Sequence, residues 1–269
     1  MIRTNRYPDG KSYAVTMSYD DGLLADRKLI EIFNTYGIKG TFHLISGRIG
    51  TNPAYVTWEE LPTLYAGHEI ACHSVEHPHL EQMPANAQYE QLIEDRKALE
   101  AATGRLVRGF SFPFGTWSAA TLDAMKTAGL EYGRTTVNTN NFLFPENFLL
   151  WHPTCHHKDC ERHVDQMIYN IEKAPWRAGG MLYIWGHSYE YNNDNNWDLI
   201  ERVCQKLSRY KDSIWFATNV EIMDYKKAVE QLKVSADGKK LYNPTATDIW
   251  VDVDDAPVKV PAGETVTLA

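Results

Sequence analysis

No stretch of 18 or more apolar residues occurs in this 269-residue chain, so nothing in it reads as a membrane-spanning helix. A basic stripe is missing too: Lys and Arg number 27 against 35 Asp and Glu, they are scattered, and the net charge is -8. Phosphate backbones are gripped by concentrated positive charge, so nucleic acid is set aside as a partner. Cysteines are few. The four, at 72, 155, 160 and 204, have no regular spacing and make no disulfide framework for a domain of this size. Residues 1–11 are polar and lack an apolar signal core, so the expected location is cytoplasmic, with secretion after removal of a signal left open.

What is present is a rhythm. Helix-like segments stop at Gly37, Gly67, Gly104 and Gly129, and a strand-like run follows each within a few residues. Glycine at a helix end adopts the left-handed cap without a Cβ clash. Strand, helix, glycine, strand is the order of parallel α/β architecture. Helices are expected over 23–36, 58–66, 84–103, 117–128, 161–173, 196–210 and 221–231. The run Met181-Leu182-Tyr183-Ile184-Trp185 is uniformly apolar, as a strand buried on both faces should be. Beyond residue 231 the grammar changes to alternation and tight turns, including Asp237-Gly238 and Asn243-Pro244. The expected fold is therefore α/β. Residues 1–230 would form the parallel α/β unit, one barrel in length, and 231–269 a small antiparallel β appendage packed on it.

The strand ends carry the chemistry. The run Ala14–Met17 leads into Ser18-Tyr19-Asp20-Asp21-Gly22, placing two adjacent carboxylates beside a core. Burial and mutual repulsion both raise carboxyl pKa values, so such a pair calls for a neighbouring cation. Neighbouring residues of a strand point to opposite sides, leaving one Asp to bind and the other to move protons. His73 and His77 follow a later strand at a spacing of four, which one helical turn would bring to one face. Two histidines and a carboxylate make a facial metal set with positions left open. Other strands end in Phe112-Pro113-Phe114-Gly115, Arg134-Thr135-Thr136 and Gly186-His187-Ser188. In parallel barrels this end is the functional one.

Taken in order, Tyr-Asp-Asp-Gly, His-Ser-x-x-His, Phe-Pro-Phe-Gly and a late strand ending in His resemble the polysaccharide deacetylases of carbohydrate esterase family four, the NodB-homology domain. The likeness covers about residues 12–225. It implies a deformed (β/α) barrel with about seven parallel strands. It implies a divalent metal, usually zinc, held by Asp21, His73 and His77. Asp20 would be the general base, His187 the general acid, and the Phe114 backbone N–H an oxyanion donor. The implied reaction is hydrolytic removal of acetyl from a carbohydrate, foremost from N-acetylglucosamine-type units. Two departures stand out. Ser111 occupies the place of an arginine that orients the base, and Arg134 is the expected replacement. The aspartate that tunes the acid histidine has no counterpart motif, only Asn138, Asn140 and Trp151 in that region. These departures keep other readings open: hydrolysis of another C–N bond or of O-acetyl esters, or a glycan-binding relict.

Other residues invite less. The segment from His152 to His163, with Cys155 and Cys160, departs from paired zinc-ligand spacing; it reads as a loop at the barrel mouth, with His156 near substrate. Trp185 is a candidate stacking wall for a sugar. Tyr189, Glu190 and Tyr191 would shape the pocket. His43, His68 and His79 read as structural.

Overall fold

The structure, a computed structural model, describes residues 1–268. Eight strands form one parallel sheet: β1 (Tyr13–Asp21), β2 (Gly40–Leu44), β3 (Glu69–Cys72), β4 (Gly109–Ser111), β5 (Tyr132–Arg134), β6 (Cys155–His156), β7 (Gly180–His187) and β8 (Ile214–Phe216). Spatially they run β5-β4-β3-β2-β1-β7-β6. The eighth, β8, pairs with Tyr13–Val15 of β1, while β2 pairs with the same strand from Met17 onward, so β8 and β2 share one edge of β1. Trp151 bridges to Arg134, and Cys155–His156 pair with Ile184–Trp185. Segment 151–156 thereby spans the gap between β5 and β7 and curls the sheet into a deformed barrel. The strand beyond the seven or so expected is the two-residue β6, too short to carry a periodic signal.

β1 is buried through its first eight residues and β7 through most of its length, because helices cover the sheet from outside. Helices Asp26–Tyr36 and Ala85–Thr103 end at left-handed Gly37 and Gly104. Helices Ala119–Thr127 and Asn219–Val229 start with capping boxes built on Ser118 with Thr121 and Thr218 with Glu221. The helix expected over 58–66 is a single turn, Leu61–Leu64, with Pro62 in it. Pro lacks the N–H that a longer helix here would have used.

The tail is antiparallel, as its alternation predicted, but it forms two sheets rather than one. One joins Lys233–Val234, Lys240–Tyr242 and Thr265–Thr267. The other joins Ile249–Val253 to Ala256–Val260 and takes its third strand, Ile2–Arg3, from the start of the chain. Asp252 fastens that strand, accepting from Arg3 at 2.7 Å and Arg6 at 2.6 Å. Leu241, Ile249, Val251 and Val260 pack in one core with Ala14, Tyr132, Met181 and Tyr183 of the barrel. No helix among the described residues is long and apolar enough to cross a membrane.

Candidate active site at the barrel mouth

Asp20 lies opposite His43 on β2 and His187 on β7 in the strand register, and Ser111 lies opposite Arg134. Register sets His43 and His187 beside Asp20, and Ser111 and Arg134 reach the same carboxylate through their side chains at the C-terminal end of the barrel. The chain then turns sharply. Asp21 has φ 84° and Gly22 φ 80°, so Asp20 stays buried at 3% exposure while Asp21 reaches the mouth. Ser74, His77 and Phe114 are left-handed as well. Such conformations cost about 1–3 kcal/mol each and gather where geometry matters more than comfort.

The expected helical turn at His73–His77 is absent. Ser74 and His77, at φ 67° and 61°, bend the segment into an irregular loop, and the His77 N–H bonds the Ser74 hydroxyl at 3.1 Å. The two imidazoles still converge, with ring centroids 4.7 Å apart. Ligand atoms of Asp21, His73 and His77 all lie within 4.8 Å of one another. His73 Nδ1 is 2.8 Å from the Ser111 carbonyl oxygen, which can only accept, so Nδ1 carries the proton and Nε2 keeps its lone pair. That Nε2 stands 3.5 Å from Asp21 Oδ1. Burial pushes His73 down to about 3 and Asp21 up to about 6. A neutral imidazole pair facing a carboxyl that is costly to ionise suits a divalent cation, whose charge would offset that cost. The three residues form a candidate metal-binding group.

Asp20 differs from its neighbour. Burial alone would raise its carboxyl, but Arg134, His73 and His43 hold it well below the usual carboxylate range. The Arg134 guanidinium, fully buried, bonds Asp20 Oδ2 and lies 4.6 Å over the Trp185 ring. Ser111 Oγ donates to Asp20 Oδ1 at 3.2 Å. His187 is raised despite burial, because Nδ1 donates to Glu190 Oε1 at 2.6 Å and Asp20 and Asp21 add negative charge.

Glu190, expected only to shape the pocket, is the partner of His187 that motif reading missed. It opens the short helix Glu190–Asn193, three residues after His187 closes its strand, whereas the sought aspartate was looked for around 138–151. Besides His187 it binds His156 at 3.2 Å and Lys158 at 3.0 Å. His156, His157 and Glu190 also approach one another closely enough to suggest a second metal group. The Lys158 ammonium already supplies the cation there, so we read it as an ion-pair hub. His156, expected near substrate, is turned to Glu190 and is not among the residues lining the mouth cavity. Cys155 and Cys160 are buried free thiols of the core.

That cavity measures about 420 Å³. Asp20, Asp21, His73, His77 and His187 give it a polar lining, and buried Phe112 with Phe114, Trp185 and Tyr189 its apolar lining. Phe114 is 54% exposed and stacks on His79 at 3.9 Å. Gly115 behind it, at φ 73°, has no room for a side chain: a Cβ would meet Thr136 Oγ1 at 2.1 Å.

Residues 7–133 match the family model described as polysaccharide deacetylase. Over that stretch the chain is similar to the polysaccharide deacetylases. Among curated relatives, it is 24% identical over 132 residues to a peptidoglycan-N-acetylglucosamine deacetylase of Listeria monocytogenes, covering 48% of this chain and 27% of that protein. It is 24% identical over 147 residues to a chitooligosaccharide deacetylase of Bradyrhizobium, covering 54% of this chain and 65% of that protein. The chain thus matches less than two thirds of either relative's length. The fold recurs in solved structures. A family 4 acetyl xylan esterase from Clostridium thermocellum, solved with a cobalt ion, superposes with TM-score 0.55 at 16% identity, covering 80% of this chain and 92% of that one. The Xyl-CE4 domain of a xylanase from the hindgut metagenome of Trinervitermes trinervoides gives 0.55 at 19% identity, covering 81% and 92%.

Proposed function

We propose that this chain is a metal-dependent hydrolase that removes acetyl groups from carbohydrate, with N-acetylglucosamine-type units as the first substrate class. The observation that carries the reading is the placement of Asp20, whose carboxyl Arg134 holds low, opposite His187, whose imidazole Glu190 holds high, on adjacent strands beside the Asp21, His73 and His77 group. Relatives named as deacetylases of N-acetylglucosamine and chitooligosaccharide give the substrate class.

Asp21, His73 and His77 would hold the cation, zinc being the first candidate and cobalt, the ion in the Clostridium neighbour, the second. When bound, a divalent ion polarises the acetyl carbonyl and lowers the pKa of water towards about 7. Asp20 accepts the proton of the attacking water. Arg134 keeps Asp20 ionised and aimed. The Phe114 N–H donates to the developing tetrahedral oxygen. His187 passes its proton to the leaving amine, so the products are acetate and a free amino sugar. Positioned acid and base contribute about 10²–10⁴-fold each. Trp185 and Phe114 supply apolar faces for the sugar ring.

A second reading, O-acetyl ester hydrolysis, is favoured by Ser111 in place of the arginine and by the neighbour named as an acetyl xylan esterase. Acetate release from N-acetylated chitooligosaccharides, acetylxylan and small amides, measured side by side with zinc or cobalt supplied, separates the readings. Chitooligosaccharide turnover is the expected result. Tight glycan binding with no hydrolysis under any metal would point instead to a relict.

A further inference from the structure

We propose that His43 is a positioning residue for Asp20, a neutral imidazole that steers the carboxylate from the neighbouring strand. The inference rests on Asp20 being the base, and it adds a group that the motifs do not contain.

His43 and Asp20 are direct partners in the parallel β2–β1 pair, so their side chains share the barrel interior. His43 is fully buried. Its Nδ1 stands 3.3 Å from Asp20 Oδ1 and 3.2 Å from Ser18 Oγ. Its other nitrogen, Nε2, is buried without any hydrogen-bond partner. That asymmetry sets the tautomer. A proton on Nε2 would be a buried donor with no acceptor, and it would leave the Nδ1 lone pair facing a carboxylate oxygen. A proton on Nδ1 can be donated to Ser18 Oγ and faces Asp20 Oδ1, and it leaves only a weak orphan acceptor. Full protonation would add an unpaired buried N–H and a second cation beside Arg134; burial pulls the imidazole below its ordinary pKa in the same direction.

The consequence lies in how Asp20 is held. Arg134 takes Oδ2, whereas His43 and Ser111 converge on Oδ1. One oxygen has a cationic partner and the other two neutral donors, so the carboxylate plane is fixed at both ends. Ser111 also meets His73 Nδ1 at 2.6 Å, linking that same oxygen to the candidate metal group. Ser111 Oγ accepts from His73 and donates to Oδ1, and the His43 Nδ1–H, which also faces Ser18 Oγ, approaches the same oxygen from the neighbouring strand.

Imidazole ¹⁵N spectra of the wild-type protein test this without any substrate. The expected pattern for His43 is a protonated Nδ1 and a bare Nε2, with the Nδ1 resonance moving in Asp20→Ala. An Nε2–H tautomer overturns the proposal whether or not the protein turns over. Kinetics form the second arm. His43→Phe and His43→Leu remove the donor and should lower kcat about 10–100-fold with KM nearly unchanged and metal content intact. His43→Asn puts an amide N–H near the Nδ1 position and should restore kcat to within about threefold of wild type. Equal kcat in a folded apolar variant sinks this inference and leaves the deacetylase reading standing. A folded, metal-loaded His43→Asn as slow as the apolar variants also sinks it. If neither apolar variant folds, His43→Asn decides alone: kcat within threefold supports the proposal, and a loss beyond tenfold overturns it. A wild type that releases no acetate ends the deacetylase reading, and the tautomer then decides the proposal by itself.

Discussion

His187 and Glu190 stand three residues apart and share one short hydrogen bond, Nδ1 to Oε1 at 2.6 Å. Because a carboxylate only accepts, the bond fixes the tautomer and stabilises the protonated ring. Burial works against that charge, and Glu190, helped by Asp20 and Asp21, outweighs it. Glu190→Gln should therefore move the basic limb of kcat/KM to lower pH and reduce kcat at pH 8 by about 10–100-fold. A pH–rate profile of the two proteins checks this; superimposable basic limbs would refute it.

Arg134 and Asp20 form a buried ion pair, and removing one partner strands the other. Arg134→Met should cost about 3–5 kcal/mol of stability and most of the activity. Asp20→Asn should abolish acetate release while metal stays bound. In the double variant no charge is stranded, so part of the lost stability should return. Denaturant unfolding of the full double-mutant cycle measures the coupling; strictly additive losses would contradict it.

Asp26 gives a pH prediction for stability. Its carboxyl is buried between Ser188 Oγ at 2.5 Å and the Tyr65 hydroxyl at 2.8 Å. Burial pushes it up to about 7, against about 4 in the unfolded chain. The folded state then holds the proton more tightly, so this group's contribution is full below about pH 4 and is lost as pH rises towards and through 7. Asp26→Asn removes that loss. Its melting temperature should gain on wild type steadily between pH 4 and pH 7, since hydroxyl partners can satisfy an amide. A constant difference across that range would refute the assignment.

Asp95 ties two strand ends together. Its oxygens accept the N–H of Ser46 and of His73, each at 3.0 Å. Asp95→Ala leaves two buried donors unpaired, at about 1–3 kcal/mol each, and frees the backbone under His73. Lower thermal stability and weaker metal retention should appear together, measured by calorimetry and by metal analysis after dialysis.

The parallel barrel was legible because its signals are local: glycine stops, apolar runs and polar strand ends recur in register. Asp20, Asp21 and His187 close strands and His73 directly follows one, so their gathering at one rim was legible from the same local signals. The loop around His77 was not, since spacing of four mimics a helix and left-handed Ser74 leaves no compositional mark. The Glu190–His187 pairing escaped because the partner of His187 was sought in a distant segment while it lay one short turn away. His43 looked like any core histidine; only strand pairing sets it against Asp20. The Ile2–Arg3 strand joins the tail across about 250 residues of sequence, a distance no local pattern spans.

Anomalous diffraction at the zinc edge from crystals grown with zinc tests the central claim most directly. One peak is predicted, about 2.0–2.2 Å from an oxygen of Asp21 and from one nitrogen each of His73 and His77. A peak among His156, His157 and Glu190 instead, or none at the barrel mouth, would contradict the account.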